Sequence, residues 1–372
     1  MSTYRALKGY NIKKVSSNPA NPQEGQIWYN STTSRLKVQQ SLAGAWESAN
    51  AKLRLSEGPA TIGSKVGMVA VGGYAPGGHT AAVDEYDGTT YSVATNYPTT
   101  VYAGGGHGTL TAGLIAGGNQ SGATYKNESY TYDGSSWTSA PNINNARNGC
   151  ATSIGTQTAA LMHGGYTSTD PLAGQVHTEE FNGTSWSEQN DLSTGRRSIG
   201  GTGTQTAGLA FGGFTGSVSD ATEEYDGTSW TNGGALNTAR RISSGSGTQT
   251  AGLAIGGGPP NTGATEEYNG SAWSESGDLI TSRRTGGASN GAGTQTAALY
   301  FGGCPGAPAT GTGATEGYDG TSWSTRPSMS TARGYLAGAG SQTLSLAFGK
   351  YPAGAQTEEF TGAVETRTLT TS

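Results

Sequence analysis

The sequence has little charge and no long apolar run. Only 13% of its 372 residues are charged and the formal net charge is −5. The chain therefore has no excess of positive charge that would attract a nucleic-acid backbone or anionic lipid. No apolar stretch reaches the roughly 18 residues of a membrane span, and residues 1–14 contain no apolar core of a signal peptide. We therefore expect no nucleic-acid partner, no membrane insertion and no signal peptide.

Cysteine and histidine are also scarce. The two cysteines, Cys150 and Cys304, lie at non-equivalent places in the chain and predict no disulfide framework. The four histidines show no ligand spacing to one another or to the cysteines. They are His79, His107, His163 and His177. We therefore predict no metal site and no cofactor.

Glycine, in contrast, supplies 63 residues, and its placement is periodic. A Gly-Gly doublet follows a short apolar run six times, with a degenerate seventh copy at Gly349. The complete doublets begin at Gly72, Gly117, Gly164, Gly212, Gly256 and Gly302. Copies are 44 to 48 residues apart, which suits the four-stranded blade of a β-propeller and is too long for a leucine-rich or ankyrin repeat. Seven copies predict an all-β, seven-bladed propeller of four-stranded antiparallel blades with almost no helix.

Each copy contains further strand and turn signals. An Asp-Gly or Asn-Gly pair recurs in six copies, as at Asp226 and Gly227, and predicts a tight hairpin between the third and fourth strands. We expect a type I′ turn there, in which both central residues have positive φ. A tryptophan follows at a matching offset in five copies, and we interpret these rings as wedges between neighbouring blades. They are Trp137, Trp186, Trp230, Trp273 and Trp323.

The segment before each Thr-Gln-Thr phrase is rich in glycine, serine and threonine, as in residues 243–247. Small residues permit close backbone approach, so we place this segment in the innermost strand and the phrase in the turn that follows. His163 stands where other copies have Phe211 or Phe301, which favours a hydrogen-bonded core histidine over a functional one.

A Gly-Gly doublet followed by tyrosine and then tryptophan at fixed offsets resembles the kelch repeat, over roughly residues 60–362. The phrase at residues 247–254 resembles the kelch-like proteins of tailed bacteriophages, which are associated with the virion and the tail fibre. Residues 21–46 are similar to a short β module of phage structural proteins. The resemblance implies a non-enzymatic structural protein on the surface of the virion.

Paired carboxylates and paired arginines also recur. A doublet such as Glu266-Glu267 would suit acid and base chemistry, but its repetition from blade to blade favours structural ion pairs. The arginines at Arg240-Arg241 and equivalent places are the expected partners. A kelch-fold oxidase would need tyrosine, histidine and cysteine ligands for copper, and no convincing set is present. We predict no catalytic residues, with a polysaccharide-active enzyme on a kelch propeller scaffold as the alternative.

The last copy lacks its tryptophan, whereas Trp46 stands alone near the other end of the chain. Trp46 precedes Gly72 by 26 residues, the same interval that separates Trp186 from Gly212. A strand around Trp46 is therefore predicted to complete the last blade and close the ring. The chain then divides into an N-terminal attachment arm, residues 1–24, and the propeller, residues 25–372, of which residues 25–50 contribute the closing strand.

Binding specificity is expected in the loops between the second and third strands, whose lengths vary on an otherwise uniform ring. Tyr74, Tyr166 and Phe214 begin three of these loops and are the candidate binding residues, either stacking on a partner or packing over the blade edge. We expect the arm to bind other virion proteins and the loops to bind a host-surface glycan or protein. Tail or capsid location, and a homo-oligomer within the particle, stay open.

Overall fold

A computed structural model of the chain describes residues 13–17, 27–41, 44–49, 54, 56–120, 124–148, 154–167, 174–241, 244–285, 287–288, 293–306, 310–350, 352, 354–362 and 364–368. These residues form 36 strands and no helix, so the described chain has no helix that could cross a membrane. The predicted all-β class is confirmed.

The first four strands are β1 (Lys13–Val15), β2 (Ile27–Asn30), β3 (Arg35–Ser41) and β4 (Ala45–Ser48). The first three repeats contain β5 (Ala60–Ser64), β6 (Gly67–Val71), β7 (Tyr74–Ala75), β8 (Gly78–His79), β9 (Val83–Tyr86), β10 (Tyr91–Val93), β11 (Gly105–Thr109), β12 (Ala112–Ala116), β13 (Asn119–Gln120), β14 (Thr124–Tyr125), β15 (Ser129–Tyr132), β16 (Trp137–Ala140), β17 (Ile154–Thr156), β18 (Ala159–His163), β19 (Thr178–Phe181) and β20 (Trp186–Glu188).

The later repeats contain β21 (Gly200–Thr204), β22 (Ala207–Phe211), β23 (Thr222–Tyr225), β24 (Trp230–Asn232), β25 (Ser244–Thr248), β26 (Ala251–Gly257), β27 (Thr262–Tyr268), β28 (Trp273–Glu275), β29 (Gly287–Ala288), β30 (Ala298–Phe301), β31 (Thr315–Tyr318), β32 (Trp323–Arg326), β33 (Ala337–Gly340), β34 (Leu344–Phe348) and β35 (Thr357–Thr361). The last strand of the chain is β36 (Val364–Thr368).

Seven four-stranded sheets form the larger of two compact units, Trp46–Phe360. Their strand orders are β5-β6-β9-β10, β11-β12-β15-β16, β17-β18-β19-β20, β21-β22-β23-β24, β25-β26-β27-β28, β29-β30-β31-β32 and β33-β34-β35-β4. The first strands of neighbouring blades contact one another in sequence, and β33 contacts β5. The predicted seven-bladed propeller is therefore confirmed.

Close packing around the axis explains the small residues of the first strands. A Cβ on Gly106 would lie 2.3 Å from the carbonyl oxygen of Thr61 in the preceding blade, and one on Gly245 would lie 2.5 Å from that of Gly201. Both distances are far below a van der Waals contact, so a side chain at either place would force the innermost strands apart. The predicted innermost position of this segment is confirmed.

Tryptophan and glutamine side chains join most of the blades to the one before. The indole N–H groups donate to hydroxyls of the preceding third strand: Trp186 to Ser129 at 3.2 Å, and Trp230 to Thr178, Trp273 to Thr222 and Trp323 to Thr265 at 2.8 Å each. The central Gln249 of one Thr-Gln-Thr turn donates to the carbonyl oxygens of Gly208 and Tyr225. The glutamines of the third, fourth, sixth and seventh repeats reach across in the same way. The tryptophans thus act as the predicted wedges, and the conserved spacing of the turn is explained by a hydrogen bond between blades.

The hairpins between third and fourth strands differ from prediction in their turn type. Tyr225 pairs with Trp230, which leaves a loop of four residues. Oδ1 of Asp226 accepts the backbone N–H groups of Thr228 and Ser229, each at 2.8 Å, and only Gly227 has a positive φ, of 92°. The predicted hairpin is confirmed but the type I′ assignment is wrong, because the carboxylate caps a longer turn and keeps its own φ negative.

The N-terminal strand β4 is the outermost strand of the seventh blade. The ring of Trp46 lies 5.1 Å from that of Phe301 and 5.3 Å from that of Phe360. Its Nε1 donates to Oγ1 of Thr315 at 2.9 Å, the same contact that Trp230, Trp273 and Trp323 make with threonines of the preceding blade. The ring therefore closes by pairing a strand from near the N-terminus with one from near the C-terminus, and Trp46 supplies the tryptophan missing from the last copy.

A second compact unit comprises Met1–Ala45 and Thr361–Ser372. Its sheet has the order β1-β2-β3-β36, with β1 parallel to β2 and the other pairs antiparallel. The structure thus differs from the predicted division at residue 24, because β2 and β3 pair with one another and with β36 and take no part in the closing strand. Most of the predicted arm lies outside the described residues.

Candidate functional site

Two kinds of connection lie at each end of the propeller. Because antiparallel strands alternate in direction, the turns between first and second and between third and fourth strands share one end. The loops between second and third strands and the connections into each first strand share the opposite end, which we call the variable end. Here Gly212 has a φ of 65°, and a Cβ on it would lie 2.5 Å from the carbonyl oxygen of Arg240. The doublet is therefore glycine because loop and connection touch.

The repeated arginines divide between two environments. The first arginine of each doublet, or a single arginine in its place, is fully buried and pairs with a glutamate of the third strand. The pairs are Arg147–Glu179, Arg196–Glu223, Arg240–Glu266, Arg283–Glu316 and Arg333–Glu358. Backbone N–H groups complete the shell, as where Asn237 and Thr238 donate to Glu266. The predicted structural ion pairs are confirmed.

In three doublets the other glutamate faces the neighbouring blade and accepts a hydrogen bond from the tyrosine hydroxyl of the following third strand. The pairs are Tyr225 with Glu180, Tyr268 with Glu224 and Tyr318 with Glu267. In the seventh blade Glu359 instead pairs with Lys65 at 3.1 Å. Burial raises the pKa of Tyr318, and its bond to the carboxylate raises it further. Both carboxylates of a doublet therefore serve the scaffold.

The second arginine of each doublet lies at the variable end. Arg197, Arg241 and Arg284 belong to the connections that enter the fourth, fifth and sixth blades. Their backbones pair with the residues after three glycine doublets, namely Phe214, Gly258 and Cys304. Among the residues that the structure describes, none of the three arginines forms an ion pair. Three like charges therefore occupy equivalent places in three consecutive blades.

Two of these arginines alternate with aromatic rings. The Cζ of Arg197 lies 5.3 Å from the ring centre of Tyr166 and 4.9 Å from that of Phe214. The Cζ of Arg241 lies 4.3 Å from the same Phe214 ring. These are cation–π distances. We call Tyr166, Arg197, Phe214 and Arg241 the arginine–aromatic stack; it fixes side chains from three repeats in one arrangement.

Arg197, Arg241 and Arg284, which we call the arginine cluster, influence one another electrostatically. Burial lowers the pKa of Arg241, and the charges of Arg197 and Arg284 lower it further. Tyr335, from the connection into the seventh blade, acts in the opposite direction. The Nε atoms of Arg197 and Arg241 are buried and have no hydrogen-bond acceptor among the described residues. The cluster therefore has an excess of positive charge and of donors.

Tyrosines and a carboxyl group also lie at the variable end. Burial raises the pKa of Tyr102 to about 12. The smaller contributions to this shift come from Glu57, Tyr166 and Tyr335. Burial likewise raises the pKa of Glu57. Residues from the first, second, third and seventh repeats are thus within electrostatic range of one another.

The three predicted binding residues differ in their surroundings. Tyr166 and Phe214 are brought together by Arg197, which packs between them. Tyr74 is 46% exposed and packs edge-on against His79 at 5.7 Å, outside the stack. The second arginines were not predicted as site residues, although one arginine per repeat is enough for the ion pair and the surplus is visible in the doublets.

The buried histidines belong to the scaffold. His163 is 1% exposed and lies 5.0 Å from the ring of Trp230, so its core position is as predicted. Its hydrogen bonding is not as predicted, because neither ring nitrogen has a partner among the described residues. Burial lowers the pKa of His163 to about 3, with help from Arg196 and Arg147. Within the described chain no group of three or more histidine, cysteine, aspartate or glutamate side chains could hold a metal ion.

Comparison with known proteins supports the fold. No family model matches the sequence and no curated protein is similar to it. A solved structure described as "Structure of YjhT" is similar, with a TM-score of 0.55 and 13% sequence identity. The alignment covers 73% of this chain and 99% of YjhT. At this level of identity the likeness concerns the propeller architecture alone.

Proposed function

We propose that this protein is a non-enzymatic recognition module that binds its partner at the variable end of the propeller. The arginine–aromatic stack is the observation that carries the proposal. A ring whose blades share the same ion pairs, turns and wedges has its least uniform chemistry there. Aromatic and arginine side chains on a rigid frame are the groups that most often dominate binding energy.

The setting we propose is the surface of a phage particle, where the protein is a tail or capsid appendage. The glycine- and threonine-rich phrase of the repeat supports this, through its resemblance to kelch-like phage proteins, as does the N-terminal β module. In this proposal the N-terminal segment binds other virion proteins, and the variable end binds a glycan or protein of the host surface.

Cell-binding measurements with the labelled, purified protein test the proposal. Phe214→Ala removes the central ring of the stack and is expected to weaken binding to host cells at least about tenfold. Val66→Ala is the matched control, because Val66 is 70% exposed in a turn at the opposite end. Equal binding by both variants would contradict the assigned surface, and release of sugar fragments from host polysaccharide would contradict the non-enzymatic role.

A further inference from the structure

We propose that Arg197, Arg241 and Arg284 form a binding site for one anionic group, a carboxylate or sulfate, of an acidic saccharide. This inference rests on the proposed function and specifies its ligand. The three residues lie in equivalent connections of consecutive blades, with Arg241 between the other two.

The three cluster arginines differ in charge pairing from the arginines that precede them in the chain. Arg196, Arg240 and Arg283 each precede one of the cluster arginines by a single position, and each is neutralised by a buried glutamate. The fold therefore has a repeated means of pairing an arginine. Within the described chain the cluster arginines lack it, so three like charges lie together at a cost in free energy that a bound anion would remove.

The guanidinium groups of the cluster have N–H donors that are available to a ligand. A guanidinium group carries five N–H donors, and an aromatic ring against its face accepts none of them in a conventional hydrogen bond. The buried Nε atoms of Arg197 and Arg241 have no acceptor among the described residues, as is also true of the paired Arg196 and Arg240. Nη1 of Arg284 donates to Oδ1 of Asn261 at 3.0 Å. Carboxylate and sulfate oxygens match the forked donors of arginine.

The surroundings of the three arginines suit a saccharide as the rest of the ligand. The cluster is small and the protein has a net charge of −5, so a nucleic acid with many phosphates would be repelled away from the site. Tyr74 offers an exposed ring at the same end, and Tyr335 lies within electrostatic range of Arg241. Tyrosine rings beside a charged group suit a sugar ring that carries one acidic substituent.

Isothermal titration calorimetry of the full-length protein with matched trisaccharides tests the site. The probes are a galacturonic acid trisaccharide, its carboxyl-reduced neutral counterpart, and a galactose trisaccharide bearing a single sulfate. We expect one or both acidic probes to bind at least tenfold more tightly than the neutral one. Preference between them tells which anion the site takes. Equal affinity for all three, or no binding of either acidic probe, would overturn the proposal.

Two arginine substitutions test whether the acidic probe binds at the cluster. Arg241→Gln removes the central charge, and we expect it to weaken binding of the preferred acidic probe at least tenfold, with a thermal midpoint that is unchanged or higher because repulsion is relieved. Arg326→Gln, in the outermost strand of the sixth blade, makes the same change in net charge and should leave affinity unchanged. Equal loss in both variants, or none in Arg241→Gln, would refute the site. Failure of the parent protein to bind either acidic probe, with its host-cell binding intact, would refute the site alone and leave the proposed function standing.

Discussion

At the scale of single residues, neighbouring side chains of the same type have opposite roles. The repetition of arginine and glutamate doublets predicted structural ion pairs, and five are present. The sequence could not show which arginine of a doublet pairs, because these residues lie in a connection whose path has no simple period. Side-chain alternation applies to regular strands, and it does separate the two glutamates of each doublet.

The glutamate doublets provide a matched test of this division. Glu266→Ala leaves Arg240 buried without a counter-charge and two backbone N–H groups without an acceptor. We expect it to lower the free energy of unfolding by about 3–5 kcal/mol. Glu267→Ala removes one hydrogen bond from Tyr318 and should cost about 0.5–1.5 kcal/mol. Chemical denaturation measures both, and equal losses would contradict the assignment.

His163 allows a stabilising substitution with a defined pH dependence. Its pKa falls from an unfolded value of about 6.5 to about 3 in the fold. The unfolded chain therefore binds the proton first, and stability is lost as pH falls through this window. His163→Phe copies the phenylalanines of other repeats and should stabilise the protein by about 1–3 kcal/mol at neutral pH.

The advantage of the phenylalanine variant should grow by about 2 kcal/mol between pH 7 and pH 5, since only the parent gains a proton at position 163 on unfolding. Thermal melts at both pH values measure this difference. Some acid sensitivity will persist in the variant because burial also lowers the pKa of His107, to about 4. A constant difference between parent and variant across this range would show that His163 is not held neutral.

At the scale of strands and turns, the strongest sequence signals were those with a geometric cause. The glycine doublets and the small innermost residues were recognisable because a Cβ there meets backbone of the adjacent segment. The hairpins were recognisable from Asp-Gly and Asn-Gly, but the turn type was not, because a capping carboxylate and a type I′ turn use the same dipeptide. The glutamine contacts between blades depend on tertiary packing, which the turn sequence alone does not encode.

The wedge between blades should depend more on the ring than on its hydrogen bond. Trp273 is 6% exposed and packs on Phe211 at 5.0 Å. Trp273→Ala is expected to cost about 3–5 kcal/mol as a large cavity in the core. Thr222→Val removes only the acceptor of the indole N–H and should cost less, about 1–3 kcal/mol. Urea denaturation of the two variants compares them, and a larger loss for Thr222→Val would contradict the wedge.

At the scale of the whole molecule, the period of the repeat and one unmatched tryptophan were sufficient to predict a closed ring of seven blades. The separate sheet of β1, β2, β3 and β36 was not predicted, because it has no repeat to set its register and its last strand comes from the other end of the chain. The residues of the variable end were missed in part for a related reason. They belong to different repeats, and only ring closure brings both Tyr335 of the seventh repeat and Glu57 of the first within electrostatic range of Tyr102.

Ring closure through β4 makes the seventh blade the most sensitive part of the propeller. Deleting residues 1–49 removes Trp46 and leaves β35 as an unpaired outer edge. An exposed strand edge pairs readily with another chain, so we expect the truncated protein to form soluble aggregates and to melt at a lower temperature. Size-exclusion chromatography with light scattering measures the first effect.

Trp46→Ala distinguishes the effect of losing the strand β4 from the effect of losing the indole side chain. The variant keeps the backbone of β4 but loses the contacts with Phe301 and Phe360 and the hydrogen bond to Thr315. It should therefore melt at a lower temperature yet stay in the same oligomeric state as the parent, because the edge of β35 is still covered. A second truncation that starts at residue 44 removes β1, β2 and β3 but preserves β4, and it should also leave the edge covered. If that truncation aggregates as strongly as the deletion of residues 1–49, the closing strand is not what protects the ring.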